Sequence, residues 1–235
     1  MTGPAGACFH EAYPGVALAR RAFAEGVGTM FLMFAASSSG IAAAGLFPGR
    51  PGMISVLTAL AVGGALSSLV IALGKLSGGH FNPLITLVQA VTGERSVACS
   101  LAYIASQLAG GFLGGGLAVA LWHIPPTAAG GMGLGGIPSE FVASAGLMLV
   151  VLGSSRSGRP ESGPFAVGAW LVAAVIGTPT HSYANPALVL GAVFSAGPIA
   201  LGLQSAAAYI EADLAGAAVA LGITFALFPA RASRR

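Results

Sequence analysis

Two Asn-Pro pairs are the residues of this chain best placed to act on another molecule. Asn82-Pro83 lies in Ser77-Gly78-Gly79-His80-Phe81-Asn82-Pro83-Leu84, and Asn185-Pro186 in His181-Ser182-Tyr183-Ala184-Asn185-Pro186-Ala187-Leu188. Asn is a strong N-cap and Pro suits the first helical position, so each pair predicts a helix start. Each predicted helix runs for about ten residues, half of what a bilayer crossing needs. Two short capped helices at matching places in two halves, each after a long apolar stretch, form the pattern of a membrane site built from broken helices. A helix N-terminus carries roughly half a positive charge and unsatisfied N–H groups. Two such ends facing each other in mid-membrane repel cations, and the Asn donors turn a passing water so that its oxygen faces them. Waters turned in opposite directions cannot relay a proton. This is the chemistry of passage, not of bond making. The sequence shows no nucleophile–base set and no metal-ligand cluster, so the expectation is no enzyme, no cofactor and no metal.

Glu25 and Glu140 are acids at equivalent places in the two halves, in Ala24-Glu25-Gly26-Val27-Gly28-Thr29 and Ser139-Glu140-Phe141-Val142-Ala143-Ser144. A carboxylate inside an apolar span is costly. Both are expected to brace the irregular backbone that leads to a half-helix, the alternative being that they snorkel to the interface. His80 is expected to point into the pore on the cytoplasmic side, against the alternative of a hydrogen-bonded loop histidine. Gln107, beside Gly110-Gly111, is expected to bond a neighbouring helix. Gly114-Gly115-Gly116 reads as a packing surface, since no Lys-Ser/Thr follows it. No wider set of paired acids is read in the spans, which argues against an ion-coupled carrier.

The elements that position these residues follow from composition. Of 235 residues 55% are hydrophobic and only 7% charged, with mean hydropathy +0.85. A soluble domain carries about 25% charged residues, so the reading is an all-α polytopic membrane protein with the lipid bilayer as its partner and no nucleic acid. Apolar spans fall at about 19–40, 53–74, 98–122, 139–155, 164–180 and 204–228, with the half-helices at about 82–92 and 185–195. Repeat one is about 19–122 and repeat two about 139–228 of a single domain, 19–228, flanked by cytoplasmic tails at 1–18 and 229–235. Three spans per half force the repeats to insert with opposite topology. With the half-helices re-entrant, Arg20, Arg21, Arg95, Arg156, Arg159, Arg231, Arg234 and Arg235 share one face, Lys75 lies near it, and Arg50 falls opposite. The positive-inside rule then makes both termini cytoplasmic. Cys8 and Cys99 are too few for a disulfide framework.

Glu-x-x-Gly-Thr in span one, Ser-Gly-Gly-His-Phe-Asn-Pro, the repeated Glu and the second Asn-Pro-Ala resemble the major intrinsic proteins, the aquaporins and glycerol facilitators. The resemblance implies six transmembrane helices plus two re-entrant half-helices, one pore per subunit and a homotetramer in the inner cell membrane. It implies motif residues Asn82, Pro83, Leu84, Asn185, Pro186 and Ala187, with Asn82 and Asn185 donating to the solute and His80 in the pore lining. Two departures stand out: Leu84 where Ala is usual, and Leu188 where most of the family has a pore-lining Arg. Counting back from the two Asn residues places the constriction at Val62, Ala173, Ser182 and Leu188, which is small, largely apolar and uncharged. The implied function is a passive channel for water and small uncharged solutes, glycerol-like polyols and neutral metalloid acids among them. A mainly water-selective pore and a non-conducting assembly protein are the alternatives.

Overall fold

The computed structural model describes residues 13, 15–126, 135–157 and 160–228. Of the predicted tails, 1–12, 14 and 229–235 lie outside the described residues, as do Arg159, Arg231, Arg234 and Arg235. The described residues form eight α-helices: α1 Leu18–Leu46, α2 Pro51–Ser77, α3 Pro83–Val91, α4 Val97–Trp122, α5 Gly136–Arg156, α6 Gly163–Gly177, α7 Pro186–Val193 and α8 Leu203–Leu227. Five of them, α1, α2, α4, α5 and α8, are long and apolar enough to cross a membrane. The sixth span is shorter than the sequence implies: α6 has 15 residues and stops three before the expected end at 180. Pro179 disfavours helical backbone at the residue before it, and Thr178 is extended, with φ −121° and ψ 143°.

The short helices α3 and α7 start where the Asn-Pro pairs put them. Asn82 Oδ1 accepts from the Leu84 N–H at 2.9 Å and Asn185 Oδ1 from the Ala187 N–H at 3.0 Å, so each asparagine caps its own helix. In repeat one α1 packs against α2 and α4; in repeat two α5 packs against α6 and α8, and α2 against α6 joins the halves. Small residues set these distances, as helix packing in lipid favours. A Cβ on Gly111 of α4 would lie 2.2 Å from the Ala187 carbonyl oxygen of α7, and one on Gly63 of α2 would lie 2.7 Å from the Gly168 carbonyl oxygen of α6.

The loops before α3 and α7 share one backbone pattern. Positions four, three and one before each Asn are left-handed: Gly78, Gly79 and Phe81 in the first loop, at φ 100°, 64° and 48°, and His181, Ser182 and Ala184 in the second, at φ 59°, 46° and 44°. Such a loop turns its N–H groups away from any regular partner, and two buried glutamates receive them. Glu25 Oε1 accepts from Ser77 Oγ (2.6 Å) and the His80 N–H (3.0 Å), and its Oε2 from the Phe81 N–H (2.7 Å) and Gln107 Nε2 (2.8 Å). Glu140 Oε2 accepts from the Tyr183 N–H (3.1 Å) and the Ala184 N–H (2.9 Å).

The third member of each brace differs between repeats. Tyr103 and Gln107 on α4 have the same spacing as Tyr209 and Asp213 on α8, so Asp213 stands where repeat one has Gln107. Asp213 is fully buried, accepts from Ser144 Oγ at 2.5 Å, and has the Glu140 carboxyl as its neighbour. Asp213 beside Glu140 corrects the reading that the spans hold no wider set of acids.

The two glutamates therefore respond differently to amide replacement. All four partners of Glu25 donate to it and each oxygen holds one backbone N–H, so Glu25→Gln sets an NH₂ group against the N–H of His80 or of Phe81. That costs about 1–3 kcal/mol per unsatisfied group and lowers the unfolding midpoint of the detergent-solubilised protein by several degrees. In Glu140→Gln the amide oxygen still accepts from the loop while the NH₂ faces the neighbouring Asp213 carboxyl, an acceptor, and the midpoint stays near wild type. Equal losses in thermal-shift measurements on the two variants would show that Asp213 is not the partner that separates them.

Candidate functional site

The two half-helices meet end to end through their asparagines. Asn82 Nδ2 donates to the Ala184 carbonyl at 2.8 Å and Asn185 Nδ2 donates to the Phe81 carbonyl at 2.9 Å. The left-handed turns at Phe81 and Ala184 aim those carbonyls across the junction. Each side-chain amide has two N–H groups. One of each is spent on the opposite loop. Both asparagines are 3% exposed and both line the same cavity.

Two cavities lie along this axis. The first-loop cavity contains Gly79, His80, Asn82 and Asn185; the second-loop cavity contains Thr58, Val62, Val175, His181 and Ser182. Tyr183 and Leu188 line both, so these two side chains lie where the cavities adjoin. Among the described residues no Lys, Arg, Asp or Glu lines either cavity, and no group of three His, Cys, Asp or Glu is placed to hold a metal ion.

The walls come from helical stripes with a spacing of four. On α2 they are Thr58, Val62, Leu66 and Val70; on α6 they are Val167, Leu171 and Val175. Of the four constriction residues expected from the sequence, Val62, Ser182 and Leu188 line the second-loop cavity together. Ala173 does not. It is exposed, and Val175 lines the cavity instead. Two residues along a helix is about 200° of rotation, so a count that lands two short of the lining face lands on the opposite face.

His80 is 1% exposed, holds Thr86 Oγ1 with Nδ1 at 2.9 Å, and has no hydrogen-bond partner at Nε2. Its repeat equivalent is Tyr183, also two residues before an Asn, whose hydroxyl donates to the Ile199 carbonyl at 2.7 Å. Each sits beside a tyrosine of the last long helix of its repeat, His80 with Tyr103 and Tyr183 with Tyr209, at ring separations of 5.7 and 6.0 Å.

Three contributors escaped the sequence reading. Tyr183 has its signal in its place relative to Asn185. Asp213 is an acid within an apolar span and was legible on that ground. Arg95, read only as a basic loop residue, donates to the Ser77 carbonyl (3.2 Å) and to Gln89 Oε1 (2.5 Å), with its guanidinium 4.7 Å over the Tyr103 ring. It thereby clamps the start of the first loop.

Residues 14–197 match the family model for the major intrinsic protein. The chain is 35% identical over 218 residues to the aquaglyceroporin AqpS of Rhizobium meliloti (strain 1021), covering 91% of this chain and 93% of that protein. It is 33% identical over 185 residues to Nodulin-26 of Glycine max, covering 73% of this chain and 65% of that one. In three dimensions it is similar to the X-ray structure of the aquaglyceroporin from Plasmodium falciparum, with TM-score 0.72 at 20% identity, covering 91% of this chain and 98% of that one. The inverted pair of three-helix repeats, the two Asn-capped half-helices and these matches agree, and the chain belongs to the major intrinsic protein family, whose members are passive channels and not enzymes.

Proposed function

We propose that the chain passes glycerol-like polyols and other small uncharged solutes, neutral metalloid acids within that range, with water as a co-permeant. The observation that carries this reading is the second-loop cavity. Val62, Val175, Ser182 and Leu188 line it, no Lys or Arg does so among the described residues, and Tyr183 is tied to Ile199 through its hydroxyl. A polyol needs both an apolar wall for its C–H face and polar groups for its hydroxyls. The second N–H of Asn82 and of Asn185 supplies donors at the centre, and the two half-helix ends oppose cations and break the proton path. The relative from Rhizobium meliloti is named an aquaglyceroporin, which points the same way.

The same reading places the protein in the inner cell membrane as a homotetramer with one pore per subunit, both termini cytoplasmic. The arginine bias at Arg20, Arg21, Arg95 and Arg156 supports that orientation. A reporter enzyme active only in the cytoplasm, fused to the C-terminus, is expected to be active; activity of a periplasm-only reporter would reverse the topology.

Proteoliposomes in a stopped-flow light-scattering experiment test the solute. Wild type takes up glycerol and passes water. Leu188→Arg puts a bulky cation in the passage and lowers glycerol flux by about tenfold or more, equivalent to about 1.4 kcal/mol, while water flux persists. Wild-type vesicles that pass water but no glycerol would make this a water-selective pore. Flux of neither above protein-free vesicles would remove the channel reading for these solutes.

A further inference from the structure

Among the described residues, Glu211 of α8 is the one acid that a membrane-crossing helix carries on its outer surface. The other acids within the spans, Glu25, Glu140 and Asp213, are buried. Glu211 is exposed, and no hydrogen bond or ion pair reaches it from any described residue. Its depth follows from its neighbours. It is the ninth of 25 residues in α8, about 12 Å from the helix start. Asp213, about 3 Å further along the axis, lies beside the Glu140 carboxyl that holds the loop before Asn185. Glu211 is therefore level with the broken helices, inside the hydrocarbon, and its two methylenes are too short to lift the carboxyl to the headgroups. An acid within a span almost always faces the bundle interior or a cavity and is paired. This one does neither. In repeat one, α4 has Ala105 at the matching place, so the fold itself does not call for an acid there.

We infer that the outer face of α8 docks a transmembrane helix of another protein, one that carries a Lys or Arg within its span. Charge complementarity names the partner. An ammonium or guanidinium beside the Glu211 carboxylate supplies, in lipid, the hydrogen bonds and counter-charge that water would give it elsewhere. A second copy of this chain has no such group to offer. All ten Lys and Arg of the sequence fall in loops, tails or the end turns of helices. Arg20 and Arg21 open α1, and Lys75 and Arg156 lie in the last turns of α2 and α5. A lipid amine stays at the headgroups and does not reach this depth. The face is also shaped for a helix. Gln204, Ala207, Ala215, Ala218 and Gly222 are exposed and lie within about 40° of Glu211 around the helix. A Cβ on Gly222 would meet nothing within 4 Å, so the chain itself does not fill the space there. Small residues let a second backbone come close, which is how helices associate in lipid. No residue of α8 lines either cavity, so this docking is independent of which solute passes.

Energy transfer in proteoliposomes tests the assignment, with the donor-labelled full chain titrated by acceptor-labelled synthetic transmembrane peptides. The probe peptide has about 20 apolar residues, a stripe of Ala and Gly, and a single lysine one turn from its midpoint. The control peptide has leucine in place of the lysine. The lysine peptide is expected to bind wild type about tenfold more tightly than the control. Glu211→Leu, or Glu211→Ala if that variant does not assemble, is expected to bring the two peptides to equal affinity with water flux unchanged. Ala218→Phe keeps the carboxyl and blocks the face, and is expected to weaken the lysine peptide by a similar factor. Equal affinity of the two peptides for wild type overturns the inference, as does an undiminished lysine preference in Glu211→Leu. Full lysine-peptide affinity in Ala218→Phe overturns the docking face. A disulfide-linked dimer that Glu211→Cys adds under oxidation would seat a second copy on α8, and overturns the assignment too.

Discussion

A backbone N–H in the middle of a bilayer has no water to turn to, and this constraint governs the design of the chain. Two re-entrant loops cross that region in irregular conformation, and their N–H groups are collected by single side chains from the first helix of each repeat. Glu25 takes those of His80 and Phe81; Glu140 takes those of Tyr183 and Ala184. With these donors held, the carbonyls of Phe81 and Ala184 are free to receive the opposite asparagine. The capping of α3 and α7 and the junction between them follow from two carboxyls one turn or more inside α1 and α5.

The loops also carry strain, and it is distributed unequally. Left-handed backbone suits glycine and costs other residues about 1–2 kcal/mol. The first loop puts glycine at two of its three left-handed positions; the second has His181, Ser182 and Ala184 at all three. The second loop therefore depends more on its supports. These are the Glu140 carboxylate on the Tyr183 and Ala184 N–H groups, the Tyr183 hydroxyl on Ile199 and the bond of His181 Nδ1 to the Val175 carbonyl (3.3 Å). Side chains at His181 and Ser182 are what that strain provides, and both residues line the second-loop cavity.

Much of this was legible in the chain because the signals were local. Asn-Pro after an apolar span specifies a capped half-helix wherever it falls, and the equivalence of Glu25 and Glu140 showed in their neighbours. What was not legible depended on rotation and on cross-repeat pairing. Ala173 and Val175 differ by two residues and by opposite faces of α6, and nothing in a count from Asn185 reveals where Pro179 ends the helix. Asp213 is one aspartate in a span of alanines, and its role appears only when α8 is laid on α4 and Gln107 is found in its place. Arg95 is nearly invisible for a different reason: its partners are a carbonyl, an amide and a ring, none of which a charge pattern announces.

The contrast between the loops and the walls explains why the permeant must be neutral. The loop N–H groups that Glu25 and Glu140 collect are paired, and the cavities along the axis hold few polar side chains, among them Thr58, His80 and Ser182. These few groups, with one N–H from each asparagine, can replace the hydrogen bonds of a small hydroxylated molecule. They cannot replace the hydration of an ion, whose transfer to an apolar setting costs several kcal/mol even after relaxation. A cation meets in addition the positive ends of α3 and α7, and no acid lines either cavity among the described residues to offset them. Exclusion of charge thus does not require an arginine in the passage. It follows from a wall too sparse in polar groups to solvate an ion, and Leu188 leaves that wall sparse.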